Sequence, residues 1–263
     1  DASVEGVLIP ADYARACIDA HKKLKFKALG KRIVSHDPSD LGNDDKGLCY
    51  RHGSVIYDIQ ANPSGDVNEG CDWATDYAIN KNADVFLWDG DGLGIGLRRQ
   101  VAESLKGKAI EQDIFRGSAG VDFPEAIYEA INDNAAKPKT NKETCKNKRS
   151  QYYWALRDRF YNTYRAIVKD EYVDPDKMIS LSSDIEQLDL LRSEVCRIPL
   201  KPNGNGMIQI MSKEDMKRLD IASPNMADSL MMSLAISDKI VTSQVYIPPV
   251  IRPQGRQNGT RRY

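Results

Sequence analysis

The chain has 263 residues, 41% of them hydrophobic, and 37 Lys and Arg against 38 Asp and Glu leave a net charge of −1. That composition supports a sizeable buried core in one large or two small domains. No apolar run approaches the ~18 residues of a membrane-spanning helix, and Asp1 and Glu5 stand where a secretory leader would be basic. The first residue is not Met, so the chain is read as a fragment. Balanced charge neither favours nor excludes nucleic acid as a partner. The five cysteines, Cys17, Cys49, Cys71, Cys145 and Cys196, are scattered with no Cys-x-x-Cys pair. This argues against zinc or a disulfide framework and for a reducing cytosol. Neither a P-loop nor a Gly-x-Ser-x-Gly nucleophile elbow is present.

In chain order, Tyr13 to Leu24 has helical composition and follows Pro10. Residues 31–36 form a short β-type run that ends at Asp37-Pro38, since proline stops a central strand. A turn-rich loop over 39–45 leads to two strands, 47–50 and 55–59, joined by a hairpin at 51–54. Helix is expected over 71–83, then a strand at 84–88 that runs into Asp89-Gly90-Asp91-Gly92 and a helix over 97–106. Strand, glycine loop, helix is α/β punctuation.

Residues 117–149 read as a loop or insertion, with six basic residues and one acid from Lys137 to Arg149. Tyr153, Leu156, Phe160, Tyr164 and Ile167 then fall on one face of a helix over 150–169. Here Tyr152, Tyr153 and Trp154 serve packing rather than base stacking. A further helix covers 183–196, a turn 202–206 and a strand 207–210. Ser223-Pro224 offers an N-cap and a first-turn proline for the last helix, striped by Met226, Leu230 and Leu234. The tail from 247 carries Arg252, Arg256, Arg261 and Arg262 with no acid and is expected to be disordered unless bound.

Three aspartates fall where an α/β sheet gathers functional groups, just past strand ends and on a helix laid against that edge. They are Asp37, Asp89 and Asp228. Two unit charges ~4 Å apart repel by ~4 kcal/mol at an effective dielectric of 20, so such a cluster is unstable, or takes up protons, without a cation. Hard divalent ions with oxygen ligands meet that need, and two of them can clamp the attacking and leaving oxygens of a phosphodiester. A metal-dependent nuclease follows as the hypothesis. Simpler readings exist for each acid taken singly: a turn residue at Asp37, a dipole partner at Asp228. The glycine loop fits neither an EF-hand, since Leu93 and Gln100 stand where acids are needed, nor a dinucleotide fingerprint, since Ile95 stands where glycine is needed.

These residues resemble a family, the nuclease domains of tailed-phage terminase large subunits, the genome-packaging motors. Gly6 to Pro10 resembles its junction after an ATPase domain. Val34 to Pro38 with Leu41 to Asp44 resembles its first acidic motif, and Leu87 to Gly94 its second. Ser212 to Met216 with Ser223 to Leu230 resembles its third. The likeness spans roughly residues 5–240. It implies an α/β, ribonuclease H-like mixed sheet flanked by helices. It implies a segment 1–28 linked to an ATPase domain, a nuclease domain over 29–246 and a basic flexible tail over 247–263.

It further implies endonucleolytic hydrolysis of double-stranded viral DNA, cutting concatemers at the start and end of packaging. Two Mg²⁺ or Mn²⁺ would be held by Asp37, Asp89 and Asp228, with Asp91 and Asp44 as auxiliary ligands. Partners would be DNA, the portal protein, the small terminase subunit and the chain's own ATPase domain, in the host cytoplasm and at the procapsid portal, with no membrane. Lys142, Lys146, Lys148 and Arg149 are the candidate DNA contacts, with Arg157 and Arg165 as weaker ones. Sequence specificity is expected to be low. The alternatives are another ribonuclease H-like enzyme of resolvase or transposase type, or a non-catalytic portal-docking module.

Overall fold

The computed structural model describes residues 7–42, 44–128 and 138–236. Two short helices, α1 (Ala11–Ala16) and α2 (Ala20–Lys23), precede strands β1 (Arg32–Asp37), β2 (Lys46–His52) and β3 (Val55–Asn62). Helix α3 (Val67–Asn80), strand β4 (Val85–Asp89), a 3-10 turn (Gly92–Leu97), helix α4 (Arg98–Ser104) and strand β5 (Glu111–Phe115) follow. Then come α5 (Asn141–Thr144), α6 (Lys148–Val168), β6 (Ser180–Leu181), α7 (Leu188–Val195), α8 (Lys213–Arg218) and α9 (Asn225–Ser233).

The six strands form one mixed sheet in the order β5-β4-β1-β2-β3-β6. β1 and β3 flank β2 antiparallel, while β4 runs parallel to β1, β5 parallel to β4, and β6 parallel to β3. β1, β4 and β5 therefore all end at the same edge. This is the mixed sheet with flanking helices expected of a ribonuclease H-like domain.

Side chains alternate across the sheet because the strand period is two. Ile33, Val85, Leu87 and Cys49 enter a core shared with α1, α6, α7 and α9. Val34, Phe86, Trp88 and Leu48 enter a second core under α3 and α4. Asp37 and Asp89 have the parity of Ile33 and Val85, so both belong to the α9 face. The buried His36 has the opposite parity and stands edge-on to Trp73, ring centroids 6.1 Å apart. Its Nδ1 bonds the Gly47 carbonyl at 3.0 Å, and burial pushes its pKa down to about 4, so it is a neutral core residue.

Several boundaries differ from the sequence reading. The helix expected over 13–24 is two pieces, broken where Asp19 adopts φ +52°. Residues 207–210 contribute isolated bridges, Ile208 with Cys145 and Ile210 with Leu200, rather than a strand. Within segment 7–28, Leu8, Ile9, Ala14 and Cys17 are buried in the main core, and the Leu8 amide bonds the Ile198 carbonyl at 3.1 Å. In the described part of the insertion Thr140 and Glu143 form a capping box on α5, and the Lys148 and Arg149 amides bond the Ala119 and Gly117 carbonyls. The arginine tail lies outside the described residues. All five cysteines are free thiols. Among the described residues, no helix is long and apolar enough to cross a membrane.

Candidate active site

Asp37 is the last residue of β1 and Asp89 the last of β4, and the parallel register Ser35 to Leu87 and His36 to Trp88 brings the two strand ends side by side. Asp228 lies in the first turn of α9, which packs against β1 and β2. Gly47 is what lets that helix come so near. It pairs with Asp37 in the β1–β2 register, and a Cβ there would stand 2.1 Å from the Asn225 carbonyl oxygen. The Ser35 hydroxyl donates to the Ser229 carbonyl at 2.6 Å and ties β1 to the same turn. The structure thus brings the three predicted acids to one edge.

Helix α9 does not begin as the sequence suggested. Pro224, not Ser223, is its N-cap, and no local side chain caps it. The cap comes from a distant element: Oε2 of Glu194, near the end of α7, accepts from the Ala227 amide at 2.9 Å. At the other end the Arg51 guanidinium donates to the carbonyls of Ser233 at 2.8 Å and Ile236 at 3.2 Å. Burial pushes the Glu194 carboxyl up to about 7; its ionised form at the N-terminus and the Arg51 cation at the C-terminus complement the helix dipole.

Cations and a phenol surround the acids. Lys213 Nζ lies 2.8 Å from Asp37 Oδ2 and 3.2 Å from Asp228 Oδ2. Arg149 Nη2 lies 3.0 Å from Asp228 Oδ1, and the same oxygen accepts the Tyr153 hydroxyl at 2.6 Å. Arg149 and Tyr153 stand one turn apart on α6, so together they grip one oxygen. The other, Asp228 Oδ2, is buried and has no hydrogen-bond partner; its contact with Lys213 satisfies charge without bond geometry.

These surroundings set the ionisation of each acid. Burial raises Asp37, and the Lys213 ammonium only partly offsets it against the added repulsion of Asp228. Burial also pushes Asp89 up to about 7, with repulsion from Asp37 added. Burial would raise Asp228 too, but Arg149, Lys213 and the Tyr153 hydroxyl together hold it below the ordinary carboxylate range. Lys213 and Arg149 are raised, because facing carboxylates outweigh the cost of enclosing their charges.

Asp91 and Asp44 occupy different places. The Asp91 carboxylate accepts from the Ser118 amide and hydroxyl at 2.8 and 2.9 Å, and its own amide donates to Asp89 Oδ1 at 2.9 Å. It braces Asp89 against the insertion. Asp44 is exposed, and its carbonyl accepts the Ser39 hydroxyl.

The expected basic surface is divided. Lys142 is exposed and pairs with Glu125 at 2.6 Å, Lys146 is exposed, and Lys148 pairs with Asp122 at 3.0 Å over the Phe115 and Tyr152 rings. Arg149 is turned inward, onto Asp228 and the Met211 carbonyl at 2.8 Å, with 16% of its side chain exposed. It serves the acidic site because α6 begins beneath α9. Arg157 and Arg165 pair with Asp158 and Glu171. Lys213, Tyr153 and Glu194 were not foreseen at the site; only Lys213 carried a local signal, its place in the third acidic motif.

Among the described residues, no group of three His, Cys, Asp or Glu side chains is positioned to hold a metal ion as it stands. The donor chemistry nonetheless fits a hard divalent cation, with carboxylate oxygens throughout and a buried Asp228 Oδ2 without a hydrogen bond. An ammonium occupies the space between Asp37 and Asp228, the place where such a cation would neutralise them.

No protein-family model and no curated protein matches the chain. Solved structures do. The nuclease domain of the large terminase subunit gp2 of bacterial virus Sf6 is 45% identical, with TM-score 0.83, over 88% of this chain and 99% of that one. A lysine-to-alanine variant of that domain, with manganese and beta-thujaplicinol, matches equally well, at 45% identity and TM-score 0.83 over 88% and 99%. The same variant with calcium is 44% identical, with TM-score 0.82 over 88% and 100%. Identity of this extent over nearly the whole of that domain, joined to a shared fold, means that the chain belongs to the nuclease domains of phage large terminase subunits, a family of hydrolases.

Proposed function

We propose that the chain hydrolyses phosphodiester bonds of double-stranded viral DNA with two divalent cations held by Asp37, Asp89 and Asp228. The observation that carries this reading is the Lys213 ammonium, seated 2.8 Å from Asp37 and 3.2 Å from Asp228. Carboxylates of this kind, two of them almost fully buried, stay together only with a cation between them. The crystallised relatives with manganese or calcium support the same assignment.

When bound, such cations lower the pKa of a water and stabilise charge on the phosphate. The chain's own groups prepare for this. Asp37 bridges the strand end and the helix, Asp89 completes one side, and Asp228 the other. Arg149 and Tyr153 fix the Oδ1 of Asp228, which leaves Oδ2 turned toward Asp37 and Lys213. Lys213 keeps 42% of its side chain in solvent while its ammonium is held between the two buried carboxylates. The Asp91 amide donates to Asp89 Oδ1, and its carboxylate, which accepts one bond from Ser118 on each oxygen, keeps lone pairs for the auxiliary-ligand role proposed for it.

In this reading residues 29–246 are the catalytic domain and 247–263 a basic tail, and segment 1–28 joins an ATPase domain through chain that is itself packed into the core. Portal, small terminase subunit and DNA concatemers are the partners of the assembled motor, acting in the host cytoplasm. Lys142 and Lys146 remain the exposed candidates for DNA phosphates. The test is plasmid cleavage with Mn²⁺, Mg²⁺ or EDTA, comparing wild type with Asp37→Ala. Cleavage that needs metal and is lost in the variant supports the reading; equal cleavage by both proteins rejects it.

A further inference from the structure

The helix that delivers Asp228 has no cap of its own. Pro224 stands at its N-cap position and offers neither an N–H nor a side-chain acceptor, and no side chain from the flanking residues bonds the first amides. The Met226 and Ala227 amides belong to fully covered residues, while the Asp228 amide already bonds the Pro224 carbonyl at 2.7 Å. Unbonded donors at such depth cost ~1–3 kcal/mol each. The acceptor that meets them is Glu194, thirty-odd residues earlier in the chain and itself 7% exposed. Its Oε2 takes the Ala227 amide at 2.9 Å, and the Met226 amide also faces its carboxylate. Met216, Ile221 and Pro224 line the same niche, together with Arg197, whose charge faces the Glu194 carboxyl.

A buried carboxylate is an expensive way to cap a helix. A local serine or aspartate at the N-cap would do so at the surface. What Glu194 adds is a tie to a second element, because it binds the two amides directly before Asp228 from α7, which packs against α9 in the main core. Tyr153 and Arg149 restrain the Asp228 side chain, while Glu194 restrains its backbone. We infer that Glu194 is a positioning residue for the nuclease site, holding the first turn of α9 so that Asp228 faces Asp37 at the spacing a divalent cation needs. The inference rests on the proposed function and deepens it.

The test uses the whole chain and Mn²⁺ as the probe. Glu194→Ala, Glu194→Gln, wild type and Asp37→Ala are compared by calorimetric Mn²⁺ titration, by plasmid cleavage and by thermal melting. Outer partners of metal ligands typically change affinity 10–100-fold, and Glu194→Ala is expected to bind Mn²⁺ at least tenfold more weakly while still folded at the titration temperature. Glu194→Gln keeps an oxygen that accepts the Ala227 amide, so it is expected to restore binding close to wild type. A purely structural role would lower the melting temperature of Glu194→Ala and leave Mn²⁺ affinity of the folded protein unchanged, which overturns the inference. So does Glu194→Gln being as weak as Glu194→Ala. Should Glu194→Ala not fold, Glu194→Asp withdraws the acceptor by one methylene and decides by the same titration. Weaker Mn²⁺ binding supports the inference, and wild-type affinity overturns it. Equal cleavage by wild type and Asp37→Ala rejects the nuclease reading and the inference with it. Asp37-dependent cleavage with unchanged Mn²⁺ affinity in Glu194→Ala rejects the inference alone.

Discussion

Nζ of Lys213 lies 2.8 Å from Oδ2 of Asp37, so the buried end of a central strand is neutralised by a side chain that reaches it from solvent. A cation that is part of the chain cannot be dialysed away. It competes with any divalent ion for the same carboxylates, and it keeps them from repelling one another while that ion is missing.

Lys213→Ala separates those two roles. Removing one partner of a buried pair costs ~3–5 kcal/mol, but Lys213 is 42% exposed, and the metal-free variant is expected to lose a smaller amount, about 1–2 kcal/mol. Mn²⁺ should raise its melting temperature by more than it raises that of wild type, because nothing competes for the site. Melting with and without saturating Mn²⁺ reads both effects; an equal Mn²⁺ shift in the two proteins would count against competition.

Asp89 gives the site a pH dependence. Burial and Asp37 raise it to about 7, against the opposing charge of Lys213 and the Asp91 amide. Below pH 7 a metal must displace its proton, so Mn²⁺ affinity should rise by about tenfold per pH unit for each proton released and then level off above 7. Folding stability runs the other way. The native state holds this proton at pH values where the unfolded chain, with a carboxyl pKa near ~3.9, has lost it. This group therefore lowers stability as pH rises from about 4 to 7. Calorimetry across pH 5.5–8 and urea melts over the same range test the two slopes together.

Tyr153→Phe removes the hydroxyl that donates to Asp228 Oδ1 at 2.6 Å and leaves the ring in the core. A hydrogen bond to a charged group is worth ~1.5–3 kcal/mol, and Arg149 still holds the oxygen, so a loss near ~1.5 kcal/mol is expected in chemical denaturation. Cleavage should fall with Asp228 less firmly placed. Unchanged stability would mean that Arg149 alone fixes the carboxylate.

Gly47→Ala is the sharpest steric test. Its backbone needs no glycine conformation, so the whole effect comes from a methyl 2.1 Å from the Asn225 carbonyl oxygen. Overpacking of this kind costs ~1–3 kcal/mol, and the strain is relieved only by lifting α9 from β2. The variant is expected to melt lower and to lose metal-dependent cleavage out of proportion to the loss of fold, measured at a temperature where it remains native.

The sequence placed Asp37 and Asp89 correctly because each follows an apolar run that ends in a glycine- or proline-marked break. Both strand ends then follow from local pattern. β5 was not legible: Glu111, Gln112 and Asp113 are exposed on an edge strand, so no alternation marks it. β6 is two residues long and is held by pairing with β3 and a bridge to Ile18. The cap of α9 was misread, since Ser223 fits the local rule and Glu194 satisfies the helix from another element. Arg149 looked like part of a basic surface, and only the packing of α6 under α9 turns it inward. Groups that act through tertiary contact leave no spacing to read.

The order of the site along the chain has a consequence for synthesis. The strands that present Asp37 and Asp89 lie within residues 32–115, whereas Asp228 rides on the final described helix. A ribosome-bound chain interrupted before residue 225 would carry a sheet with two carboxylates and the anchoring groups Arg149, Tyr153, Glu194 and Lys213, without Asp228 itself. The third carboxylate then joins the other two only once α9 has been made, after every strand of the sheet.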